Sequence, residues 1–359
     1  MIRDIAKCAL GINLAAGVRL LRFGPRDAIT CAAFAYQAVR PFDTAPTFGA
    51  KGQMEEPRYA AAEWDPTIVS PVVDPLSHSR VLDLNDFKHP ELVKWIRDVY
   101  SHELRRFGPR FPEGFEDRKQ WEVAMLVRAL FDFGAVFPGA ELLGVGTGND
   151  PTVFYLTNHV RRVFATDLFL PEAGRGWAEA DVSMLRDPGT NWPFAWNPRR
   201  LIVQHMDGRE LCYEDNAFDG IFSAGSIEHF GTLDEIRTSA SELHRVLKPG
   251  GILALTTEFR IEGPGHGAPG LIFFTPELIR QYLVGDLSWD LLDAADFTVT
   301  DATRSATVSQ NAASAVFQAH VRREGRLRYH RYRQVAYPIV TMTLNDYVWT
   351  SICLVLRKR

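Results

Sequence analysis

A glycine-rich turn in the middle of the chain is the segment whose residue types most directly indicate chemistry. Within residues 141–150 the glycines Gly144, Gly146 and Gly148 have the spacing GxGxG, after an apolar run and before a predicted helix. Glycine lets a backbone turn sharply and approach a ligand closely, and the start of a helix offers N–H groups to that ligand. A nicotinamide-binding turn would read GxGxxG, and Asn149 holds the place of its last glycine. The turn is therefore predicted to bind a ligand, with a spacing that differs from the nicotinamide pattern.

Polar residues follow two further apolar runs. Asp167 and Leu168 end the first of these runs, and the carboxylate of Asp167 is suited to accept hydrogen bonds from both hydroxyls of a ribose. The alternative is a solvated aspartate in a loop. Met206, Asp207 and Gly208 end the second run. Asp207 is predicted to accept a hydrogen bond from the exocyclic amine of an adenine, and Met206 is predicted to cover the ring.

The elements that must position these groups are short apolar runs that alternate with helical patterns. The runs are predicted to be buried strands, and the pattern that ends at a Pro-Gly-Gly turn is predicted to be a helix over 233–247. This alternation is typical of a parallel sheet with helices on both faces. A later run rich in β-forming residues is predicted to be the last strand of the sheet. The predicted strands are 140–144, 162–166, 220–223, 251–257 and 349–356.

The chain divides into three stretches that differ in their sequence pattern. Residues 1–115 carry helical patterns interrupted by proline-rich loops, and they are predicted to form a helical extension that covers a substrate pocket. Residues 116–303 contain the alternating pattern and are predicted to be the cofactor-binding core. Residues 304–359 are predicted to be an insertion on the substrate side together with the final strand.

The composition is that of an ordinary globular protein and argues against several classes. Hydrophobic residues make up 46% and charged residues 23%, and the net charge of −4 does not attract the whole chain to nucleic acid or an anionic membrane. No apolar run approaches the ~20 residues that cross a bilayer. The four cysteines are scattered without metal-ligand spacing and are predicted to be reduced thiols. We therefore predict a cytoplasmic protein without a membrane partner.

The order of these pieces resembles that of class I S-adenosylmethionine-dependent methyltransferases, over about residues 120–300. The matching pieces are the glycine turn, the acid at Asp167, Asp207-Gly208, Phe-Asp-Gly-Ile-Phe-Ser at 218–223 and Leu-Lys-Pro-Gly-Gly at 247–251. The resemblance implies S-adenosylmethionine as the cofactor. It also implies an α/β fold, the doubly wound, seven-stranded, mostly parallel sheet of the Rossmann-like methyltransferase fold. The residues that it implies for cofactor binding are Gly144, Gly146, Gly148, Asp167, Leu168, Met206, Asp207, Gly208 and Ser223.

One position departs from the pattern of this superfamily. An acid usually stands two residues before the first glycine of the turn, where it engages the methionine amino group, but Leu142 holds that position here. Glu141 is one residue away, and a shift of one residue on a strand turns a side chain to the opposite face. We therefore expect backbone carbonyls or another acid to hold the amino group.

Glu228 and His229 are the candidate catalytic residues. The segment 225–231 that contains them resembles bacterial methyltransferases associated with surface-polysaccharide and glycosyl-transfer pathways. In the superfamily, the segment after the fourth strand faces the reactive end of the cofactor. Methyl transfer to a hydroxyl needs alignment and removal of a proton, so His229 is predicted to be the base, with Glu228 orienting it or contacting the cofactor. The alternative is that both residues cap the next helix or line a polar wall.

A catalytic metal ion is not expected from the sequence. Some class I enzymes bind a metal through an ExxEH motif and a later histidine. Glu228, His229, Glu258 and His266 resemble part of that set, but Gly225 replaces the leading glutamate. The sequence therefore predicts no metal ligands among the site residues.

The sequence favours an O-methyltransferase that acts on a small-molecule or glycosidic hydroxyl. Six arginines between Arg322 and Arg333 either form a solvated helix face or bind an anionic group such as that of a nucleotide-linked sugar. The same arginines support an alternative with RNA as the acceptor, although the negative net charge makes nucleic acid the less expected partner. A third alternative is a regulatory protein that binds the cofactor without turnover. Nitrogen and carbon acceptors and the oligomeric state stay open.

Overall fold

The computed structural model describes residues 76–170, 180, 182–192, 194–314 and 337–359. The first 75 residues of the predicted N-terminal extension lie outside the described residues, and so does the arginine-rich segment Arg322–Arg333. The glycine turn and all of the predicted site residues lie within the described part.

A short strand, a 3-10 turn (Leu84–Lys88) and three α-helices come first in the described part of the chain. The strand and the α-helices are β1 (Arg80–Val81), α1 (Pro90–Val99), α2 (Ser101–Phe107) and α3 (Arg118–Asp132). Pro90 occupies the first turn of α1, where a missing N–H costs nothing. Asp117 begins α3 as its cap, because its side chain accepts a hydrogen bond from the backbone N–H of Lys119. α3 is buried along most of its length and packs against α1 and the sheet.

Five parallel strands form the centre of the sheet. In chain order the central elements are β2 (Glu141–Val145), α4 (Pro151–Leu156), β3 (Arg162–Asp167), α5 (Ser183–Arg186), β4 (Leu201–His205), β5 (Phe218–Ala224), α6 (Leu233–Val246) and β6 (Leu247–Glu262). The strands lie in the order β4-β3-β2-β5-β6, so β3 and β4 are on one side of β2 and β5 and β6 are on the other. In such sheets ligands bind at the carboxyl ends of the strands, where the strand order reverses. The glycine turn follows β2 at that point.

Both faces of the sheet are covered. Leu142 and Leu143 are neighbours on β2 but belong to different hydrophobic clusters, because successive side chains of a strand point to opposite faces. The cluster of Leu142 includes residues of α1 and α3, and that of Leu143 includes residues of α6. The predicted doubly wound α/β architecture is therefore confirmed.

An antiparallel side extends the sheet beyond β6, and here the predicted count of seven strands is too low. The remaining elements are β7 (Gly267–Ala268), β8 (Leu271–Ile272), α7 (Pro276–Leu278), a π-helical turn (Ile279–Val284), β9 (Trp289–Leu291), α8 (Asp301–Ser305), β10 (Thr307–Ser309), β11 (Thr341–Leu344) and β12 (Tyr347–Lys358). β12 pairs antiparallel with β6, β1, β9 and β11, and β10 runs parallel to β11. Within the described residues the sheet has ten strands. Strands as short as β1, β9 and β10 have too few residues for a periodic pattern to show in the sequence.

The described residues also bear on two predictions made from composition. Within these ranges, no helix combines the length and the apolar character needed to span a membrane. Cys212 is exposed, Cys353 is buried, and both are free thiols. Burial raises the pKa of the Cys353 thiol, which keeps it protonated.

Candidate active site

The glycine turn folds back on the segment that follows β5. Gly146 and Gly148 have φ values of 65° and 47°, in the left-handed region that favours glycine. A Cβ atom on Gly146 would lie 2.5 Å from the hydroxyl oxygen of Ser226, whereas one on Gly148 would have no atom within 4 Å. A Cβ atom on Gly144 would lie 2.6 Å from the ring of Phe222. The turn therefore packs tightly against β5 and its following segment, and it faces open space at Gly148.

Asp167 connects the end of β3 to the glycine turn. Its two carboxylate oxygens accept hydrogen bonds from the backbone N–H groups of Gly148 and Leu168, both at 2.6 Å. Burial raises the pKa of Asp167, and the two hydrogen bonds oppose that rise. The acid predicted to bind a ribose thus lies beside the open part of the turn, and a carboxylate oxygen with one hydrogen bond can accept another.

The segment after β4 contains an ion pair and an aromatic contact. Met206 is buried. Asp207 is paired with Arg209, whose Nη2 atom lies 2.7 Å from Oδ2 of the carboxylate. A Cβ atom on Gly208 would lie 2.6 Å from the ring of Phe230, so glycine leaves room for that ring. The acid predicted to bind adenine is therefore held by a neighbouring cation, and Phe230 adds an apolar surface that the sequence did not indicate.

Ser223 has protein partners for its hydroxyl. The buried hydroxyl donates to the backbone carbonyl of Val145 at 2.8 Å, and its oxygen lies 2.7 Å from the hydroxyl oxygen of Ser226. The sequence predicts a cofactor contact at this position. In the structure Ser223 joins the end of β5 to the end of β2 and so supports the glycine turn, and its cofactor contact stays a prediction.

Glu228 and His229 lie in a short helical turn after β5. Glu228 is fully buried, and its Oε2 atom accepts a hydrogen bond from the Thr257 hydroxyl at 2.8 Å. Burial raises the pKa of Glu228 to about 7 and lowers the pKa of His229. Nδ1 of His229 lies 2.8 Å from the carbonyl oxygen of Gly270. A carbonyl only accepts, so Nδ1 carries the proton and Nε2, which lies 3.8 Å from Oε1 of Glu228, is the basic nitrogen.

A buried ionic network joins α3 to the site, and the sequence pattern did not indicate it. Arg118 donates to Glu122 at 2.9 Å and to Glu258 at 3.0 Å, and a second nitrogen lies 2.9 Å from the other oxygen of Glu258. Lys119 donates to the second oxygen of Glu122 at 2.6 Å. Burial favours the neutral acid, but the two cations outweigh it and lower the pKa of Glu122. The sequence feature that could have indicated this network is the group of charged residues at the start of a largely apolar helix.

The position that a metal-binding glutamate would hold has a different environment here. Gly225 has a φ of 56°, and a Cβ atom on it would overlap Nζ of Lys119. A fixed cation thus lies where the first acid of an ExxEH motif would project. His266 is exposed in a loop. In the described part of the chain, no three His, Cys, Asp or Glu side chains come together in a way that could hold a metal ion.

The region from β2 to β6 matches a known family. Residues 143–255 match the methyltransferase domain family, and this stretch contains every predicted site residue. This stretch is similar to the methyltransferase domain of S-adenosylmethionine-dependent methyltransferases.

Individual relatives show how far the similarity extends. A probable S-adenosylmethionine-dependent methyltransferase of Mycolicibacterium smegmatis is 29% identical over 164 residues, which are 45% of this chain and 54% of that protein. A probable methyltransferase of Aspergillus luteorubrus is 31% identical over 113 residues, which are 31% of this chain and 37% of that protein. The chain thus spans about half the length of the first of these relatives and less of the second. Among solved structures, a phosphoethanolamine N-methyltransferase of Haemonchus contortus is 15% identical with a TM-score of 0.40, over 77% of this chain and 60% of that one.

The site of this methyltransferase domain fits S-adenosylmethionine, the cofactor of the superfamily. Open space at Gly148 lies beside the Asp167 carboxylate, a combination that suits a ribose. Oγ1 of Thr147 and Oε1 of Glu228 are buried polar atoms without a hydrogen-bond partner among the described residues. Because buried polar atoms are normally paired, both atoms fit a site that a polar ligand completes.

Proposed function

We propose that this methyltransferase transfers a methyl group from S-adenosylmethionine to a hydroxyl of a small-molecule or glycosidic acceptor. The observation that supports this function is the basic Nε2 atom of His229, which lies at the carboxyl edge of the sheet beside Glu228. A hydroxyl needs such a base, because its proton must leave as its oxygen attacks. The bound cofactor supplies a methyl group on a sulfonium sulfur, which is already a reactive electrophile.

The proposed cofactor contacts follow the carboxyl ends of three strands. The glycine turn lets the backbone approach the cofactor, and the carboxylate of Asp167 accepts the ribose hydroxyls. Met206 and Phe230 supply apolar surface for the adenine ring, and Asp207 accepts the adenine amine while it remains paired with Arg209. The residues proposed to line this part of the site are Gly144, Gly146, Gly148, Asp167, Leu168, Met206, Asp207 and Gly208.

His229 is proposed to move the proton of the acceptor. The hydrogen bond from Nδ1 to the Gly270 carbonyl fixes the tautomer, so Nε2 is presented as the base. When Nε2 takes up the acceptor proton, the positive charge that forms lies 3.8 Å from the Glu228 carboxyl group. Glu228 can therefore stabilise the protonated imidazole, and the proton then passes to solvent.

The proposed partner is a small molecule or a saccharide, and nucleic acid is not proposed as a partner. The negative net charge argues against nucleic acid as a partner. We also propose a cytoplasmic location, which the free thiols of Cys212 and Cys353 support because the cytoplasm keeps thiols reduced.

Isothermal titration of the purified protein with S-adenosylmethionine, S-adenosylhomocysteine and NAD tests the cofactor. We expect the two sulfur ligands to bind and NAD not to bind. An acceptor screen follows with hydroxylated compounds, nucleotide sugars first, and with RNA at two salt concentrations as the comparison. Methylated product from a hydroxyl compound supports the proposal. Failure of a folded protein to bind either sulfur ligand contradicts it, and cofactor binding without product from any acceptor supports a regulatory protein instead.

A further inference from the structure

Among the described residues, the buried network around Gly225 leaves one acid, Glu228, without a bonded cation. Glu122 and Glu258 are each bonded to a cation of α3, Glu258 to Arg118 through both oxygens and Glu122 to both Arg118 and Lys119. Glu228 is the third buried carboxylate of this network, and a neutral hydroxyl bonds its Oε2 atom. Its Oε1 atom is buried and has no hydrogen-bond partner among the described residues.

A buried carboxylate oxygen without a hydrogen-bond partner indicates that a hydrogen-bond donor is missing. Leaving a buried acceptor unpaired is costly, and for a charged group the cost is larger. The nearest basic nitrogen, Nε2 of His229, is 3.8 Å away, and burial keeps this histidine neutral. The group that completes Glu228 is therefore expected to be a cationic donor from a ligand.

Lys119 offers the opposite charge next to the same space. Its side chain is 44% exposed, whereas the Glu122 side chain that it bonds is 0% exposed, so Lys119 extends from the buried network to an open surface. Its ammonium group and Oε1 of Glu228 both border Gly225, because a Cβ atom there would overlap Nζ and would lie 3.5 Å from Oε1. The next residue, Ser226, contacts Gly146 of the glycine turn. A cation site and an anion site thus lie together beside the turn.

This pair of charges matches the methionine end of the cofactor, which carries an ammonium and a carboxylate on one carbon. The usual acid for that ammonium is absent, since Leu142 is fully buried in the core. We propose that Glu228 binds the α-ammonium group and Lys119 the α-carboxylate group of S-adenosylmethionine, in place of the acid that Leu142 replaces. This inference rests on the proposed function.

Three ligands separate the two contacts in a calorimetric experiment on the full chain. The ligands are S-adenosylhomocysteine, its deaminated analogue, which keeps the carboxylate, and its decarboxylated analogue, which keeps the ammonium. We expect Glu228→Gln to weaken S-adenosylhomocysteine about tenfold to a hundredfold, as for the loss of a charged hydrogen bond. The same variant should bind the deaminated analogue as the wild type does. Lys119→Met should weaken S-adenosylhomocysteine and the deaminated analogue but not the decarboxylated one.

Proton release gives a second readout. Because burial raises the pKa of Glu228 to about 7, an ammonium group that binds it at pH 7 shifts the acid to its charged form and releases protons. Titration in buffers of different ionisation enthalpy measures this release, which Glu228→Gln should reduce. Other charged or titratable groups also face Glu228, and the wild type and Glu228→Gln share all of them. They are Arg118, Lys119, Glu122, Glu258 and His229.

Glu258→Gln is the matched control, since it makes the same change at a buried acid whose two oxygens are both bonded to Arg118. We expect it to lower the thermal stability and to leave the preference among the three ligands unchanged. Equal losses for all three ligands in Glu228→Gln would overturn the inference, and so would unchanged affinity for S-adenosylhomocysteine. If Glu228→Gln changes only the affinity for a cationic acceptor, Glu228 belongs to the acceptor site and the inference is also wrong. Absence of binding by the wild type counts against the proposed function itself.

Discussion

At the scale of single residues, Asp167 joins two parts of the site, because its oxygens hold the backbone of the glycine turn and face the space beside it. Asp167→Ala should weaken the binding of S-adenosylmethionine by about 1.5–3 kcal/mol, since charged hydrogen bonds to the ribose are lost. Calorimetry measures the affinity. Asp219→Ala is the control, because Asp219 accepts hydrogen bonds from Glu141 and Lys248 at the amino-terminal ends of β2 and β5, away from the glycine turn. Equal affinities for wild type and Asp167→Ala would remove Asp167 from the site.

His229 is the residue on which the proposed chemistry depends. His229→Ala should lower kcat about a hundredfold or more and leave the cofactor affinity unchanged. Because burial lowers its pKa below the ordinary value of 6.5, His229 is neutral above that pKa, and the wild-type rate should rise with pH through it and stay level at pH 7. The variant should lack this rise. His266→Ala changes an exposed histidine and is the control. A near-normal rate for His229→Ala would show that this residue is structural.

The sequence predicted which residue types stand at the strand ends, but it did not indicate the protein partners of these side chains. Parallel strands bring their carboxyl ends to one edge, so the placement of Asp167, Met206 and His229 at that edge follows from the alternating pattern alone. The partners of Ser223 and Asp207 depend on packing between elements. No periodic pattern contains that information.

At the scale of elements, α3 shows why the ionic network was missed. Charged residues near the start of a helix usually indicate a solvated face. In α3 they lie under β12 and β6, where Ser351 and Glu258 provide partners far away in the chain. The sequence separation between α3 and these strands hides the pairing, although the helix itself can be read from its cap at Asp117.

The contact between the segment after β4 and the turn after β5 allows a test of element packing. Gly208→Ala should destabilise the protein by about 1–3 kcal/mol, because the new methyl group would lie 2.6 Å from the Phe230 ring and would displace it. Denaturant unfolding measures the change. Gly139→Ala is the control, since its nearest neighbour is the exposed ring of Phe137 at 3.3 Å. Cofactor affinity should fall with Gly208→Ala if Phe230 supports the adenine. Two variants of equal stability would contradict this packing argument.

At the scale of the whole molecule, β12 organises the sheet beyond its parallel core. It pairs with β6 over ten residues and also with β1, β9 and β11, so segments from both ends of the described chain meet on one strand. The apolar, β-rich run at 349–356 predicted this strand. It could not predict the pairing with β1, because a strand of two residues is defined only by its partner.

Glu228 is a buried acid, and it makes the stability of the whole protein depend on pH in a specific direction. The pKa of Glu228 is raised from 4.5 to about 7 by burial, so the stability that its protonated form contributes is fully present below 4.5 and is lost as the pH rises through 7. Between those values the loss is up to about 1.4 kcal/mol per pH unit. Wild type should therefore lose more stability from pH 5 to pH 8 than Glu228→Gln, in which this group does not titrate.

Thermal and denaturant unfolding of the two proteins at several pH values measures the difference. Burial lowers the pKa values of histidines such as His229 and His244, so these residues add to the stability of the protein as the pH rises over the same range. Both proteins contain these histidines, so their contributions cancel in the comparison. Glu210→Gln, at an exposed acid, should follow the wild type. Saturating S-adenosylhomocysteine should reduce the difference, because a bound ammonium group stabilises the charged form of Glu228 that rising pH produces. Parallel curves for wild type and Glu228→Gln without ligand would mean that Glu228 is already charged at pH 5, and that the protein itself supplies its counterion.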